Sequence, residues 1–228
     1  MKKVSVVFPA LNEEETIGKV IDEVPVADIV AMGYSVEIVV VDNASTDRTA
    51  ELAAAKGARV ISEPKRGKGR AIRTAFEQAD ADFIFMLDAD YTYPSVHITQ
   101  MLKLLEGGCD VVMGSRLKGK RDPGSIKRLN LVGNYLLSFM ASVLYMKRIS
   151  DLCTGFWGFR REVIKNMIID AAGFDLEANM LAQVAKRGYR IGTVPIGYRR
   201  RPTASKLGSV KAGFRIGRTL LRKRFGSS

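Results

Sequence analysis

Short apolar runs alternate with longer amphipathic stretches through the first half of the chain. The runs are "VSVVF" (Val4–Phe8), "VEIVVVD" (Val36–Asp42), "ARVIS" (Ala58–Ser62), "DFIFMLD" (Asp82–Asp88) and "DVVMGS" (Asp110–Ser115). Apolar residues in such unbroken blocks predict strands covered on both faces, as in a parallel sheet under helices. Between them, "NEEETIGKVIDEV" (12–24), "STDRTAELAAAKG" (45–57) and "GKGRAIRTAFEQA" (67–79) read as helices. Asn12 and Glu15 have the spacing of a capping box for the first of these. The β–α alternation predicts a mostly parallel α/β sheet with helices on both faces.

Beyond Arg116 the pattern changes. A basic loop, "LKGKRDPGSIKR" (117–128), leads into Leu129–Met146, 18 residues without a charge. That length reaches the threshold for a membrane span. However, Asn130, Asn134, Ser138 and Ser142 recur every four residues, which predicts an amphipathic helix instead. It would dock on the sheet domain or lie in a membrane interface. From Val210 on, Val210, Phe214, Gly217, Leu221 and Phe225 form one helical stripe, with Lys211, Arg215, Arg218 and Arg222 beside it.

In open α/β sheets, ligands bind beyond the carboxyl ends of the strands. Polar groups recur at those ends here: Asn12 and Glu13, Asp42 and Asn43, Asp88 and Asp90, then Arg116. Residues two apart in extended chain point the same way, so Asp88 and Asp90 converge if extension continues to Asp90. Two nearby carboxylates attract a cation, and Mg²⁺ or Mn²⁺ commonly binds one or two carboxylates plus phosphate oxygens. The first strand is followed by "PALNEEETIG", which is neither G-x-G-x-x-G nor a P-loop, so dinucleotide oxidoreductases and P-loop ATPases are disfavoured.

Composition adds a charge argument. The net charge is +12 in 228 residues. Ten Lys/Arg and no acid fall between Arg199 and Ser228, leaving a nearly neutral body with a basic tail. Such a tail meets an anionic partner: phosphate, membrane surface or nucleic acid. A nucleic-acid-binding protein is the rival of a different class, but no aromatic stacking motif accompanies the basic residues. The N-terminus runs directly into a strand, with no secretory signal pattern. Cys109 and Cys153 have no metal-ligand spacing and suit a reducing compartment.

Several motifs then fall in order: "FPALNEEETI", "VVVDNASTD", "RGKGRAIRTAF", "DADYTYP", "GSR", "DLCTGFWGFRREV", "FDLEANML" and "YRRRPTASKLG". Together they resemble family 2 glycosyltransferases of the GT-A fold, with a particular likeness to dolichyl-phosphate mannose and glucose synthases. The resemblance covers Val4 to about Gly208. It implies a GT-A domain over 1–208, a basic amphipathic helix over 209–228, and amphipathic interface helices. It also implies a nucleotide-sugar donor: Pro9, Leu11 and Glu13 match the loop after the first strand, and Val40 and Asp42 the wall at nucleobase and ribose. Lys68 matches a basic residue near the nucleotide. Asp88 and Asp90 match the D-x-D pair, with Asp90 as the direct ligand of Mg²⁺ or Mn²⁺. Thr92 stands where mannose synthases carry Gln, and "FDLE" is closer to the glucose type, favouring a UDP-sugar over GDP-mannose.

The one histidine, His97, reads best as a surface or packing residue. A phosphate monoester acceptor would need no base, because its second pKa is about 6. Arg116, Arg128, Arg200 and Lys206 are candidates for holding it, with Lys127, Arg199 and Arg201 as alternatives to the weaker two, Arg128 and Arg200. Arg116 and Lys206 are expected at exposed positions. The implied activity is inverting sugar transfer to a polyprenyl (dolichyl) phosphate by a protein peripheral to the cytoplasmic face of the cell membrane. Transfer to a soluble or glycan hydroxyl is the alternative. Loss of the tail after Gly208 is expected to spare the donor site.

Overall fold

The structure is a computed structural model, and it describes residues 1–170, 173, 175–202 and 209–226. The strands are β1 (Lys2–Ala10), β2 (Tyr34–Asp42), β3 (Arg59–Ser62), β4 (Phe83–Met86), β5 (Val111–Ser115), β6 (Trp157–Arg160) and β7 (Ile191–Pro195). The helices are α1 (Ile17–Asp22), α2 (Val26–Ala31), α3 (Thr49–Ala55), α4 (Lys68–Glu77), α5 (Ile98–Glu106), α6 (Arg128–Tyr145), α7 (Arg161–Lys165), α8 (Leu176–Lys186) and α9 (Ser209–Phe225).

The sheet has seven strands in the order β3-β2-β1-β4-β6-β5-β7. Pairing is parallel except where β6 lies antiparallel between β4 and β5. The side-chain period of two divides the core. Ile84 and Met86 of β4 face the layer that holds α4, α6, α8 and α9. Phe83, Phe85 and Leu87 face the opposite layer, with α1 and α5. Burial on both faces is why these runs carry no polar alternation.

The connections run outward from β1 in both directions: β2 and β3 on one side, β4 on the other. The crevice between the carboxyl ends of β1 and β4 is therefore a topological switch point, where open sheets bind ligands. The loop after β1 brings Glu13 to it, and the loop after β4 brings Asp88 and Asp90.

Three expectations are corrected. The capping box does not form. Helix α1 begins at Ile17, and Asn12 adopts a left-handed backbone with φ 51°. Its Oδ1 instead accepts from the Thr46 N–H at 2.8 Å, tying the β1 and β2 loops together. Second, the strand ends at Met86, and Tyr91 is left-handed with φ 63°. A turn, not continued extension, carries Asp88 and Asp90.

Third, α9 is not separable from the body. Ile216 and Leu220 enter the core, and the Tyr145 hydroxyl donates to the Leu220 carbonyl at 2.9 Å. Removing it would open that layer, at about 2–5 kcal/mol for a single buried leucine truncated to alanine.

Helix α6 is amphipathic with its polar stripe turned inward. Asn134 and Ser138 are buried, whereas Leu129, Val132, Leu136, Phe139, Val143 and Met146 are exposed. The stripe is a hydrogen-bonding ladder for the chain at 149–153. Ser142 Oγ accepts from Ile149 N–H (3.1 Å), Ser138 Oγ from Leu152 N–H (2.9 Å) and Asn134 Oδ1 from Cys153 N–H (3.2 Å). Gly217 packs against Met140 and Leu137 of α6. The exposed Phe214 and Leu221, three and four residues from it, flank that contact. No described helix is long and apolar enough to cross a membrane.

Candidate active site

The switch-point crevice gathers four carboxylates, Glu13, Asp88, Asp90 and Glu177, and two cations, Lys68 and Arg201. Lys68, the first residue of α4, is placed by the loop before it. Asn43, buried at the end of β2, accepts from Gly67 N–H at 2.6 Å and donates to the Glu63 and Lys65 carbonyls at 3.2 and 2.8 Å. Gly67 has φ 143°, a conformation that suits glycine. The Lys68 ammonium lies 2.6 Å from Asp88 Oδ1 and 2.9 Å from Glu177 Oε1. Burial disfavours its charge, but the two carboxylates outweigh that and raise its pKa well above the usual lysine value.

Asp90 is half-buried, with 14% of its side chain exposed. Burial and the Asp88 charge push its pKa up, while the Thr92 hydroxyl and Arg201 pull it down. The Thr92 Oγ1 donates to Asp90 Oδ1 at 2.6 Å, so this threonine fixes the carboxylate. Arg201 Nη2 lies 2.6 Å from Glu13 Oε1, and its Nη1 3.5 Å from Asp90 Oδ2. Gly155 makes the room: a Cβ there would stand 2.8 Å from Asp88 Cγ, with Oδ2 nearer still.

Arg116, at the end of β5, is buried rather than exposed. Its Nε and Nη2 donate to Asp151 Oδ2 and Oδ1, both at 2.8 Å, and its backbone N–H adds a bond of 2.9 Å to Oδ2. Asn134 of α6 donates to Asp151 Oδ1 at 2.7 Å. The guanidinium lies 5.1 Å from the Tyr198 ring centroid. The basic loop 117–128 closes over this side, where Asp122 N–H donates to the Tyr198 carbonyl at 2.9 Å.

The other candidate residues divide. Pro9 and Leu11 are half-buried at the β1 end. Asp42 is half-buried, and its Oδ1 accepts from Ser45 N–H at 3.2 Å, a turn-forming contact. Val40 is fully buried in the core at β2. Arg128 is exposed at the start of α6, and Arg200 is exposed with its N–H on Asp122 at 3.1 Å. Lys206 lies outside the described residues. His97 Nε2 accepts from Gly197 N–H at 3.0 Å, a structural contact away from the carboxylates. Glu177, Asp151 and Gly155 lie within the quoted motifs but carry no individual signal, and Arg201, an alternative acceptor cation by sequence, meets Glu13 and Asp90 instead. Their partners are 17 to 188 residues away in sequence, and no local spacing signals that.

The carboxylate oxygens are hard donors of the kind Mg²⁺ or Mn²⁺ prefers, and Asp90 already meets a positive group, Arg201. Among the described residues no group of three or more His, Cys, Asp or Glu converges to hold a metal. Mg²⁺ commonly takes one or two carboxylates from protein, with phosphate oxygens and water completing its shell, a number the Asp88–Asp90 pair can supply.

The family model for glycosyl transferase family 2 matches residues 5–168. The chain belongs to that family. Glycosyltransferase AglJ of Haloferax volcanii is 37% identical over 203 residues, 89% of this chain and 65% of its own length. A dolichyl-phosphate hexose transferase of the same organism is 36% identical over 219 residues, 96% of this chain and 92% of its own length. Glucosyl-3-phosphoglycerate synthase of Mycobacterium tuberculosis, solved with Mn²⁺ and UDP-glucose, superposes with a TM-score of 0.76 at 26% identity. That match covers all of this chain and 80% of the solved one. The GT-A fold expected from the motifs is thus the fold observed.

Proposed function

We propose that this glycosyltransferase moves a hexose from a UDP-sugar to a polyprenyl phosphate, of the dolichyl type, at an anionic membrane surface. The observation that carries the acceptor reading is the orientation of α6. It exposes an apolar face beside a basic loop, and its inward polar stripe joins Asp151 and Arg116 at the crevice. A lipid tail would lie along the outer face while its phosphate reaches the guanidinium. Asp151 takes the Nε and Nη2 hydrogens, which leaves the Nη1 edge for a phosphate oxygen. Arg128, Arg200 and Lys206 are the proposed supporting cations.

Asp90, with Asp88 beside it, would hold Mg²⁺ or Mn²⁺ at the donor diphosphate. A bound ion supplies charge neutralisation of the departing diphosphate. Lys68 and Thr92 keep the two carboxylates in place. A dianionic acceptor phosphate requires orientation rather than deprotonation, consistent with inverting displacement. The UDP preference is supported by the UDP-glucose complex of the mycobacterial relative. The basic residues flanking the apolar face, among them Arg218 and Arg222 on α9, favour anionic lipid by about 1 kcal/mol each near the surface.

The test is a panel of radiolabelled UDP- and GDP-sugars with dolichyl phosphate, counting lipid-extractable label. Label from a UDP-hexose, lost in EDTA and in Asp90→Ala, is expected. Transfer only to water-soluble acceptors would overturn the lipid reading, and full activity in EDTA would overturn the metal role.

A further inference from the structure

The crevice holds a cation of its own at the position proposed for the metal. Arg201 reaches it from the segment after β7, 188 residues from Glu13. Its side chain is one-fifth exposed, and the two carboxylates it meets are more deeply buried, Glu13 at 8% and Asp90 at 14%. Its contacts with these two carboxylates are unequal. The bond to Glu13 is short and charge-assisted at 2.6 Å, whereas Asp90 stands off at 3.5 Å. The Glu13 carboxylate is itself held, because its Oε2 accepts from the Thr16 hydroxyl at 3.3 Å, while its N–H donates to Thr49 Oγ1 at 2.8 Å. The guanidinium is therefore anchored on Glu13 and leans on Asp90.

We propose that Arg201 is a displaceable internal counter-ion of Asp90, which competes with the divalent cation for that carboxylate and so sets the metal affinity of the site. Asp88 needs no such partner, because Lys68 already neutralises it. Arg201 gives Asp90, whose side chain is 14% exposed, a counter-charge that a poorly solvated carboxylate is costly to lack. The ion binds only to the fraction of molecules in which Nη1 has left Asp90 Oδ2. If the guanidinium occupies Asp90 about nine-tenths of the time, the apparent Mn²⁺ affinity is about tenfold below its intrinsic value. The Glu13 contact can persist through release.

This inference rests on the proposed metal role of Asp90, and the experiment separates the two. Mn²⁺ binding is measured on the full chain by electron paramagnetic resonance, without nucleotide or acceptor. Arg201→Gln is expected to tighten Mn²⁺ about tenfold. Arg199→Gln should leave it unchanged, because Arg199 pairs with Glu23 and covers the Tyr91 ring instead. Asp90→Asn should abolish binding. Retained binding in Asp90→Asn would overturn the metal role itself. Loss in Asp90→Asn with unchanged or weaker affinity in Arg201→Gln would overturn only the counter-ion. Should Arg201→Gln not fold, Arg201→Lys decides. An ammonium lacks the planar fork that spans two carboxylates, so tightening of about threefold is expected, and none would overturn the proposal.

Discussion

Asp151 is the residue whose loss should cost the fold most for the least change in volume. It is fully buried, and it accepts from Arg116 through Nε, Nη2 and the backbone N–H, and from Asn134. The Arg116 side chain is only 10% exposed, so solvent screens this pair little. Asp151→Ala leaves a guanidinium buried without its counter-charge and strands two further donors. Breaking a buried pair from one side costs about 3–5 kcal/mol, against a total of about 5–15 kcal/mol for a domain. The same reasoning gives the opposite sign when both partners go. Arg116→Met with Asp151→Leu removes both charges, and such replacements are neutral or even stabilising. Urea titrations of the parent, the two single variants and the double variant close the cycle. The double variant should recover about 2 kcal/mol or more relative to Asp151→Ala. It should still fail to transfer sugar to polyprenyl phosphate, because the guanidinium is gone. A change below 1 kcal/mol in Asp151→Ala, or a double variant as unstable as the sum of the singles, would refute the buried-pair argument.

Gly155→Ala tests the space around Asp88. The backbone there is not left-handed, so the penalty is steric, and displacement of Asp88 from Lys68 should lower kcat at least tenfold in a steady-state assay with little change in circular dichroism. Burial holds the His97 imidazole below its ordinary value of 6.5, with Arg199 adding to the effect and Glu23 opposing it. The unfolded chain therefore takes up this proton first as pH falls. Stability from this group is intact above about pH 7 and declines below 6.5, with a slope of at most about 1.4 kcal/mol per pH unit. His97→Gln should flatten that slope in thermal melts across pH 5–7, and an unchanged slope would place the titration elsewhere. Phe139→Ser and Leu136→Ser on the outer face of α6 should weaken co-sedimentation with anionic vesicles without lowering Tm. Undiminished sedimentation would exclude that face as the lipid contact.

Five strands could be read from the chain because a sheet buried on both faces writes itself as apolar blocks. Two could not. "WGFR" of β6 is four residues ending in Arg160, and "IGTVP" of β7 carries Gly and Pro. Neither has the length or the period that marks a strand. Asp88, Asp90, Glu13 and Lys68 were legible by position, since each follows a strand or opens a helix at the sheet's carboxyl edge. What position could not supply was pairing. The spacing of Asn130, Asn134, Ser138 and Ser142 gave a polar stripe, but not the direction it faces. Sequence places Arg116 as an exposed acceptor-phosphate ligand, because nothing near it announces Asp151, 35 residues on.

The direction of that stripe follows from the segment it serves. Residues 149–153 pass beneath α6 with no strand beside them, so their buried N–H groups must find acceptors elsewhere. Ser142, Ser138 and Asn134 provide them in register, one turn apart. Leaving such donors unmet would cost about 1–3 kcal/mol each. That requirement turns the polar face inward, and the helix period then forces Leu136, Phe139 and Val143 out. The same segment carries Asp151, which holds Arg116, and leads to Gly155, which gives Asp88 its space. The outward apolar surface and the geometry of the acid pair are thus consequences of one short stretch of chain. A substitution such as Asn134→Ala should consequently disturb both, loosening Arg116 through Asp151 while freeing α6 to rotate its apolar face toward the core.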